Sequence, residues 1–155
     1  MREILFRGKR TSYPYEGWAE GSLLCVDGHC MILEKENDDN GYCYPYINAE
    51  DGIVDGGLTT VDPETVGQYT GKDDKNGKKI FEGDIVEAVL PRSKAQNGFV
   101  WPLMPVVFRE GIFGLLTARD EVVPFTAFAP SVTLEVKGNI HDHPEMLKGE
   151  TANEG

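Results

Sequence analysis

Glycine and proline interrupt this chain more densely than helices tolerate. The 155 residues include 18 glycines and 9 prolines spread along the whole length. Inside a helix, Gly costs about 1 kcal/mol and Pro about 3 kcal/mol relative to Ala, so few windows can hold a helix of ordinary length. The apolar residues between these breakers fall into short runs, such as residues 2–7 and 17–26, that are typical of strands. The sequence therefore predicts an all-β fold of about nine to eleven short strands.

The spacing of these runs favours small barrel-like units of antiparallel strands, of SH3-like or half-barrel architecture. Two segments are alike: Trp18-Ala19-Glu20-Gly21-Ser22-Leu23-Leu24 and Ile80-Phe81-Glu82-Gly83-Asp84-Ile85-Val86. An internal duplication and independent hairpin chemistry both account for this likeness, and a duplication requires Gly21 and Gly83 to occupy equivalent strand positions. We expect an N-terminal β unit at 1–68, a C-terminal β unit at 69–148 and a disordered tail at 149–155, with a short helical turn beginning near Pro144.

The interior of these units is expected to hold the large apolar residues of the runs. We predict that Trp18, Ile80, Ile85 and Val86 are core residues, and that Phe108 and Phe113 line the core of the second unit.

The charge balance excludes some classes of function. The chain has 15 Lys and Arg against 26 Asp and Glu, a net charge of −11. Non-specific nucleic-acid binding depends on clustered cations that release counterions, so we expect none here. No apolar run approaches the ~20 residues of a membrane-spanning helix, so no membrane partner is expected. Nor does the N-terminus have the apolar stretch of a secretory signal, which favours a cytoplasmic location.

Cysteine and histidine residues offer two candidate metal sites, and neither has a convincing pattern. The spacing of Cys25, His29, Cys30 and Cys43 matches no common zinc motif. In a reducing cytosol these cysteines are expected to be free thiols. His141 and His143 flank Asp142 and could serve a metal or acid–base chemistry, but the Pro that follows favours a chain turning into a helix. We predict no metal and no cofactor.

Two aromatic-rich segments are the candidate binding surface. One carries Tyr42, Tyr44 and Tyr46, and the other carries Phe99 and Trp101. Loops held by a rigid scaffold often carry function, and aromatic side chains supply contact area at low entropic cost. The alternative is that these side chains fold back and cap the ends of the barrels.

Five stretches of the chain resemble the YopX family. They are Arg2-Glu3-Ile4-Leu5-Phe6-Arg7-Gly8-Lys9, Trp18-x-Glu20-Gly21, Val61-Asp62-Pro63-Glu64-Thr65-Val66-Gly67-Gln68-Tyr69-Thr70-Gly71, Asp74-Lys75-Asn76-Gly77-Lys78-Lys79-Ile80-Phe81-Glu82-Gly83-Asp84-Ile85-Val86 and Gly138-Asn139-Ile140-His141-Asp142-x-Pro144-Glu145. The resemblance covers residues 2–147, and the tyrosine segment and residues 91–105 depart from it. It implies a protein encoded by bacteriophages or prophages that acts in the host cytoplasm, and it implies no catalytic residues.

The leading hypothesis is a phage or prophage accessory protein that binds a host or phage protein, or another ligand, without catalysis. The sequence contains no nucleophile elbow, phosphate loop or HExxH motif. One alternative is an acidic DNA mimic that inhibits a host nucleic-acid-binding protein, which the net charge favours. Another is a small hydrolase or metal enzyme using His141, Asp142 and His143. Self-association remains open.

Overall fold

The computed structural model describes residues 1–11, 17–34 and 58–148 in full, and the backbone alone at 46–47, 54–55 and 149–151. The chain divides into two compact units, Met1–Tyr69 and Thr70–Gly155. Nearly all regular structure in the described residues is antiparallel β-strand, with one short helix. The prediction of an all-β fold is confirmed.

The first unit is an antiparallel sheet. Its strands are β1 (Phe6–Lys9), β2 (Trp18–Val26), β3 (His29–Glu34), β4 (Tyr46–Ile47), β5 (Val54–Asp55), β6 (Leu58–Val61) and β7 (Gly67–Asp73), the last of which continues into the second unit. The order across the sheet is β6-β3-β2-β1-β7, and β4 pairs with β5 separately. The buried cluster of this unit consists of Ala19, Cys30, Ile32 and Val61.

The two ends of the β6-β3-β2-β1 meander meet at one point. Val61 forms an isolated bridge with Arg10, just after β1. The N–H of Thr11 donates to the carbonyl of Thr60 at 3.2 Å, and the N–H of Asp62 donates to the carbonyl of Lys9 at 2.9 Å. These few bonds bring the outer strands together without a paired strand ladder.

Cys25 and Cys30 correct the expectation of free thiols. Asp27 and Gly28, with φ of 50° and 80°, form the two-residue turn between β2 and β3, as that dipeptide predicts. The turn sets a register in which Cys25 lies directly opposite Cys30, with 4.2 Å between their Cα atoms, and the two form a disulfide.

The second unit is built around a long central strand, β9. Its elements are β8 (Lys79–Phe81), β9 (Asp84–Leu90), β10 (Phe99–Val100), β11 (Met104–Arg109), β12 (Ile112–Leu116), β13 (Val122–Pro124), a 3₁₀ turn (Phe125–Ala127), β14 (Thr133–Asn139) and α1 (Glu145–Thr151). One edge of β9 pairs with β14 and the other with β11 and β10, and the meander continues through β12 to β13.

The described strands form no closed barrel. In the second unit β13 pairs only with β12 there, which leaves an open edge. This strand ends at Pro124, which has no N–H to donate and therefore suits an edge.

The buried core of the second unit confirms part of the core prediction. It comprises Ile80, Val86, Ala88, Met104, Val106, Leu115 and Leu134. Ile85 is also fully buried. Phe108 is 50% exposed, so its assignment to the core is wrong. It lies on the same face of β11 as Met104 and Val106 but near the end of the strand, where its ring packs against that of half-buried Phe113, with ring centroids 4.7 Å apart.

Trp18 is half-buried rather than part of a core. Side chains alternate along a strand, and Trp18 faces away from its fully buried neighbour Ala19. The guanidinium of Arg7 lies 4.6 Å from the centroid of the Trp18 ring. The ring therefore packs beneath a cation on the other face of the sheet.

Gly21 and Gly83 occupy different structural positions. Gly21 lies inside β2, paired with Phe6 on one side and Glu34 on the other, and the register runs through it without a bulge. Gly83 lies in the turn between β8 and β9 with φ of +86°. The equivalence required by an internal duplication is therefore wrong at these positions.

The helix at the C-terminal end follows Pro144, as predicted. It extends to Thr151, three residues into the segment for which the sequence predicts disorder. Residues 152–155 lie outside the described residues.

Candidate binding site

Three aromatic side chains of the second unit form a continuous surface, which we call the aromatic platform: Phe99, Trp101 and Phe128. The rings of Phe99 and Trp101 pack edge to face, with centroids 4.9 Å apart, and those of Trp101 and Phe128 do so at 5.5 Å. Such T-shaped pairs are each worth about 0.5–1.5 kcal/mol beyond the area that they bury. The platform is therefore a fixed arrangement rather than three independent rings.

The platform is anchored on one side and open on the other. Trp101 and Phe128 are half-buried and pack against the core of the second unit. Phe99 is 53% exposed. An anchored ring beside an exposed one is typical of residues that dominate the affinity of an interface. Such side chains lose little conformational entropy when a partner binds.

Backbone pairing with β9 positions the first two rings. Phe99 pairs with Leu90, and the N–H of Trp101 donates to the carbonyl of Ala88 at 3.0 Å. A short edge strand of two residues thus fixes the direction of this part of residues 91–105, the stretch that departs from the family resemblance.

The loop before Phe99 folds back on itself. The N–H of Ser93 donates to the carbonyl of Gln96 at 3.0 Å. At the end of the loop, a Cβ added to Gly98 would lie 3.0 Å from the backbone of both Arg92 and Leu90. The loop surrounds a solvent-open cavity of about 790 Å³ lined by Arg92, Ser93, Lys94, Ala95, Gln96 and Asn97. We call residues 92–97 the basic loop.

Of the predicted binding residues, the structure brings together Phe99 and Trp101. Tyr42 and Tyr44 lie outside the described residues. For Tyr46 the backbone alone is described, in β4 opposite Asp55. The role of the three tyrosines stays a prediction.

Sequence reasoning missed Phe128 and the basic loop. Phe128 follows the 3₁₀ turn, 27 positions after Trp101, and no local pattern links the two. The basic loop did leave a signal: residues 88–109 contain Arg92, Lys94 and Arg109 and no Asp or Glu. In a chain with 26 acidic residues this acid-free stretch stands out.

His141, Asp142 and His143 are held by hydrogen bonds around Asn139. The Oδ1 atom of Asn139 accepts from the N–H groups of His141 and Asp142, at 3.0 and 2.9 Å, and its Nδ2 donates to Asp142 Oδ2 at 3.1 Å. Nδ1 of His143 accepts from the N–H of Asn139 at 3.3 Å. These bonds shape the turn that leads into α1.

The same turn explains why residue 138 is a glycine. A Cβ added to Gly138 would lie 2.8 Å from His143 Nδ1 and 3.0 Å from Met146 Sδ.

Within the part of the chain that the structure describes, no three His, Cys, Asp or Glu side chains gather as a metal site would require.

Several charges of the second unit are engaged locally. Burial opposes ionisation of Asp74, but hydrogen bonds donated by the N–H groups of Val136, Lys78 and Asn76 outweigh it and lower the pKa of this carboxyl. On the surface, Glu135 pairs with Lys75 at 2.9 Å and with Lys137 at 3.2 Å. The hydrogen bond from Lys75 lowers the pKa of Glu135 and raises that of Lys75.

The comparisons with known proteins agree with the fold and the sequence motifs. The crystal structure of protein EF1440 from Enterococcus faecalis superimposes with a TM-score of 0.57 at 21% identity, covering 95% of this chain and 99% of that one. At that identity the likeness establishes the fold alone. The YopX protein family model matches residues 20–148, most of the chain, and the protein belongs to the YopX family.

No curated protein matches the sequence. Among the described residues, no helix has the length and apolar character needed to span a membrane.

Proposed function

We propose that this YopX-family protein is a phage or prophage accessory protein that binds a host or phage protein in the bacterial cytoplasm and performs no catalysis. The aromatic platform is the contact surface in this proposal. The observation that carries it is the exposed Phe99 packed edge to face on the anchored Trp101.

The surroundings of the platform support a binding role. Phe99 is 53% exposed although its ring packs on the anchored Trp101. A large apolar group exposed alone is ordinary, but an exposed ring held in a cluster of rings on a fixed scaffold is typical of interaction sites. Aromatic residues are also enriched among those that dominate interface energies.

A cytoplasmic location bears on the redox state of Cys25 and Cys30. The cytosol keeps thiols reduced, so Cys25 and Cys30 would be two free thiols there, and their disulfide would form only on oxidation. The platform belongs to the second unit, and both of these cysteines belong to the first.

The two alternatives have less support. A DNA mimic presents anions spaced like phosphates, whereas Glu135 is flanked by Lys75 and Lys137, and Asp120 pairs with Arg109 at 2.9 Å. A hydrolase needs polar groups directed at a substrate, whereas Asp142 and His143 bond within their own turn.

The test is capture of a partner from lysate of a bacterial host by the immobilised protein, quantified by mass spectrometry. We expect Phe99→Ala and Trp101→Ala to reduce capture by at least about tenfold, the range of an interface hot spot. Phe108→Ala is the matched control, since that ring is 50% exposed on β11 and lies outside the platform.

Thermal unfolding of each variant separates lost binding from lost fold, because Trp101 also packs on the core. If Phe99→Ala captures the same proteins as the wild type, or if Phe108→Ala loses them equally, the platform is not the binding surface.

A further inference from the structure

A segment without acidic residues lies beside the aromatic platform. The whole chain carries −11, yet residues 88–109 contain no Asp or Glu and three cations, of which Arg109 pairs with Asp120. Arg92 and Lys94 are both exposed. A local cationic patch on an otherwise acidic protein attracts anionic groups to that one place.

The basic loop and the platform adjoin each other in space. Gly98 packs against the backbone of Arg92 so closely that an added Cβ would lie 3.0 Å from its nitrogen. The loop therefore begins and ends at the same point, and Phe99 follows directly. A ligand resting on Phe99 is within side-chain reach of the start of the loop.

The basic loop carries side chains that suit a hydrogen-bonding anion. Its solvent-open concavity is lined by Arg92, Ser93, Lys94, Gln96 and Asn97, all of which are exposed. A guanidinium binds a carboxylate through two parallel hydrogen bonds, and the neighbouring polar groups can satisfy the remaining oxygen lone pairs. The platform offers only apolar contact, so a complementary ligand carries both an anionic group and an apolar one.

We infer that the basic loop and the aromatic platform together bind an acidic peptide segment, in which Asp or Glu flanks a bulky apolar residue. The apolar residue packs on Phe99 and Trp101, and the carboxylates meet Arg92 and Lys94. This inference rests on the proposed function and names the chemistry of the ligand. A nucleic acid fits less well, because a polyanion needs a row of cations and is repelled by a net charge of −11.

The test is selection from a random library of about twelve-residue peptides, long enough to cover the loop and the platform in extended form. The immobilised wild-type protein is the target. We expect the enriched peptides to combine Asp or Glu with Phe, Trp, Leu or Met. Their affinity should fall with rising salt, because exposed charges are screened.

Charge reversal at the basic loop tests whether its two cations contribute to peptide affinity. For an enriched peptide, Arg92→Glu with Lys94→Glu should raise the Kd by at least about tenfold, because two exposed ion pairs are lost and replaced by repulsion. The matched control is Lys72→Glu with Lys78→Glu, two exposed positions from β7 and the turn after it, which changes the net charge equally. We expect it to change the Kd by less than about threefold, the residual effect of net charge.

Each other result has a definite meaning. Apolar peptides without acidic residues, bound through Phe99 but insensitive to the loop variant, would keep the proposed function and overturn the inference. Absence of any enrichment would overturn the inference, while the lysate experiment decides the proposed function separately. Tight binding of a twelve-residue oligothymidylate that depends on Arg92 and Lys94 would reassign the site to nucleic acid. A dimer in light scattering that Phe99→Ala dissolves would place a second copy of the chain on the platform.

Discussion

The segments 18–24 and 80–86 share the letters Glu-Gly at the same place, and the structure uses them in opposite ways. In the first, Gly21 is an internal strand residue with partners on both sides. In the second, Gly83 closes a turn in the left-handed region, its N–H donating to the carbonyl of Val106 at 2.9 Å. A glycine can therefore be required either because a side chain has no space or because the backbone has a positive φ. The residue type alone does not say which reason applies.

Space is the requirement at Gly21. An added Cβ would lie within 3 Å of the carbonyl group of Leu33, which belongs to the β3 backbone and cannot rotate away. Conformation is the requirement at Gly83, where the nearest atoms to an added Cβ are side-chain atoms of His141 and Ile140 at 3.6 Å.

The largest effect is expected from Gly21→Ala. Because the clash is with backbone, β2 and β3 must separate, and overpacking of this kind costs about 3 kcal/mol. Urea denaturation of wild type and variant measures the loss. An unfolding midpoint within error of the wild type would show that the first unit accommodates a methyl group and that space is not the reason for this glycine.

The residue that follows each glycine also differs in burial between the two segments. The Asp84 carboxylate is 1% exposed and accepts from the N–H of Phe81 at 2.8 Å, whereas Ser22, the matching residue, is exposed. Asp84→Ala leaves that buried N–H without this acceptor, so we expect a loss of about 2 kcal/mol. Ser22→Ala is the matched control and should stay within about 0.5 kcal/mol. Equal losses in denaturant titrations would show that the buried hydrogen bond of Asp84 does not distinguish the two segments.

The smallest effect of the three is expected at Gly83. Ala fits the space but not the positive φ, so Gly83→Ala should cost about 1 kcal/mol through the backbone. Asn tolerates this region better than Ala, so Gly83→Asn should lose less stability than Gly83→Ala. Thermal melting of the two variants checks the order, and a less stable Asn variant would mean that contact with His141, rather than φ, limits this position.

The candidate site could be predicted only where its members are neighbours in sequence. Phe99 and Trp101 were identified because their segment departs from the family-like framework. Phe128 was not, because its contact with Trp101 depends on the 3₁₀ turn after β13 returning the chain to the start of β11. The exposure of Phe108 could not be predicted either, since its parity along β11 is that of buried residues.

The sequence by itself determined the class of fold and the local turns. Breakers every few residues exclude long helices, and Asp27-Gly28 forms its tight turn with positive φ at both positions, because this dipeptide carries the conformational preference itself. Tertiary structure alone decided which strands lie side by side, and therefore that the two Glu-Gly segments are not equivalent, that the sheet of the second unit stays open at β13, and that three rings meet on one face. Backbone preferences act over a few residues, whereas burial and ring packing depend on segments that are distant in sequence.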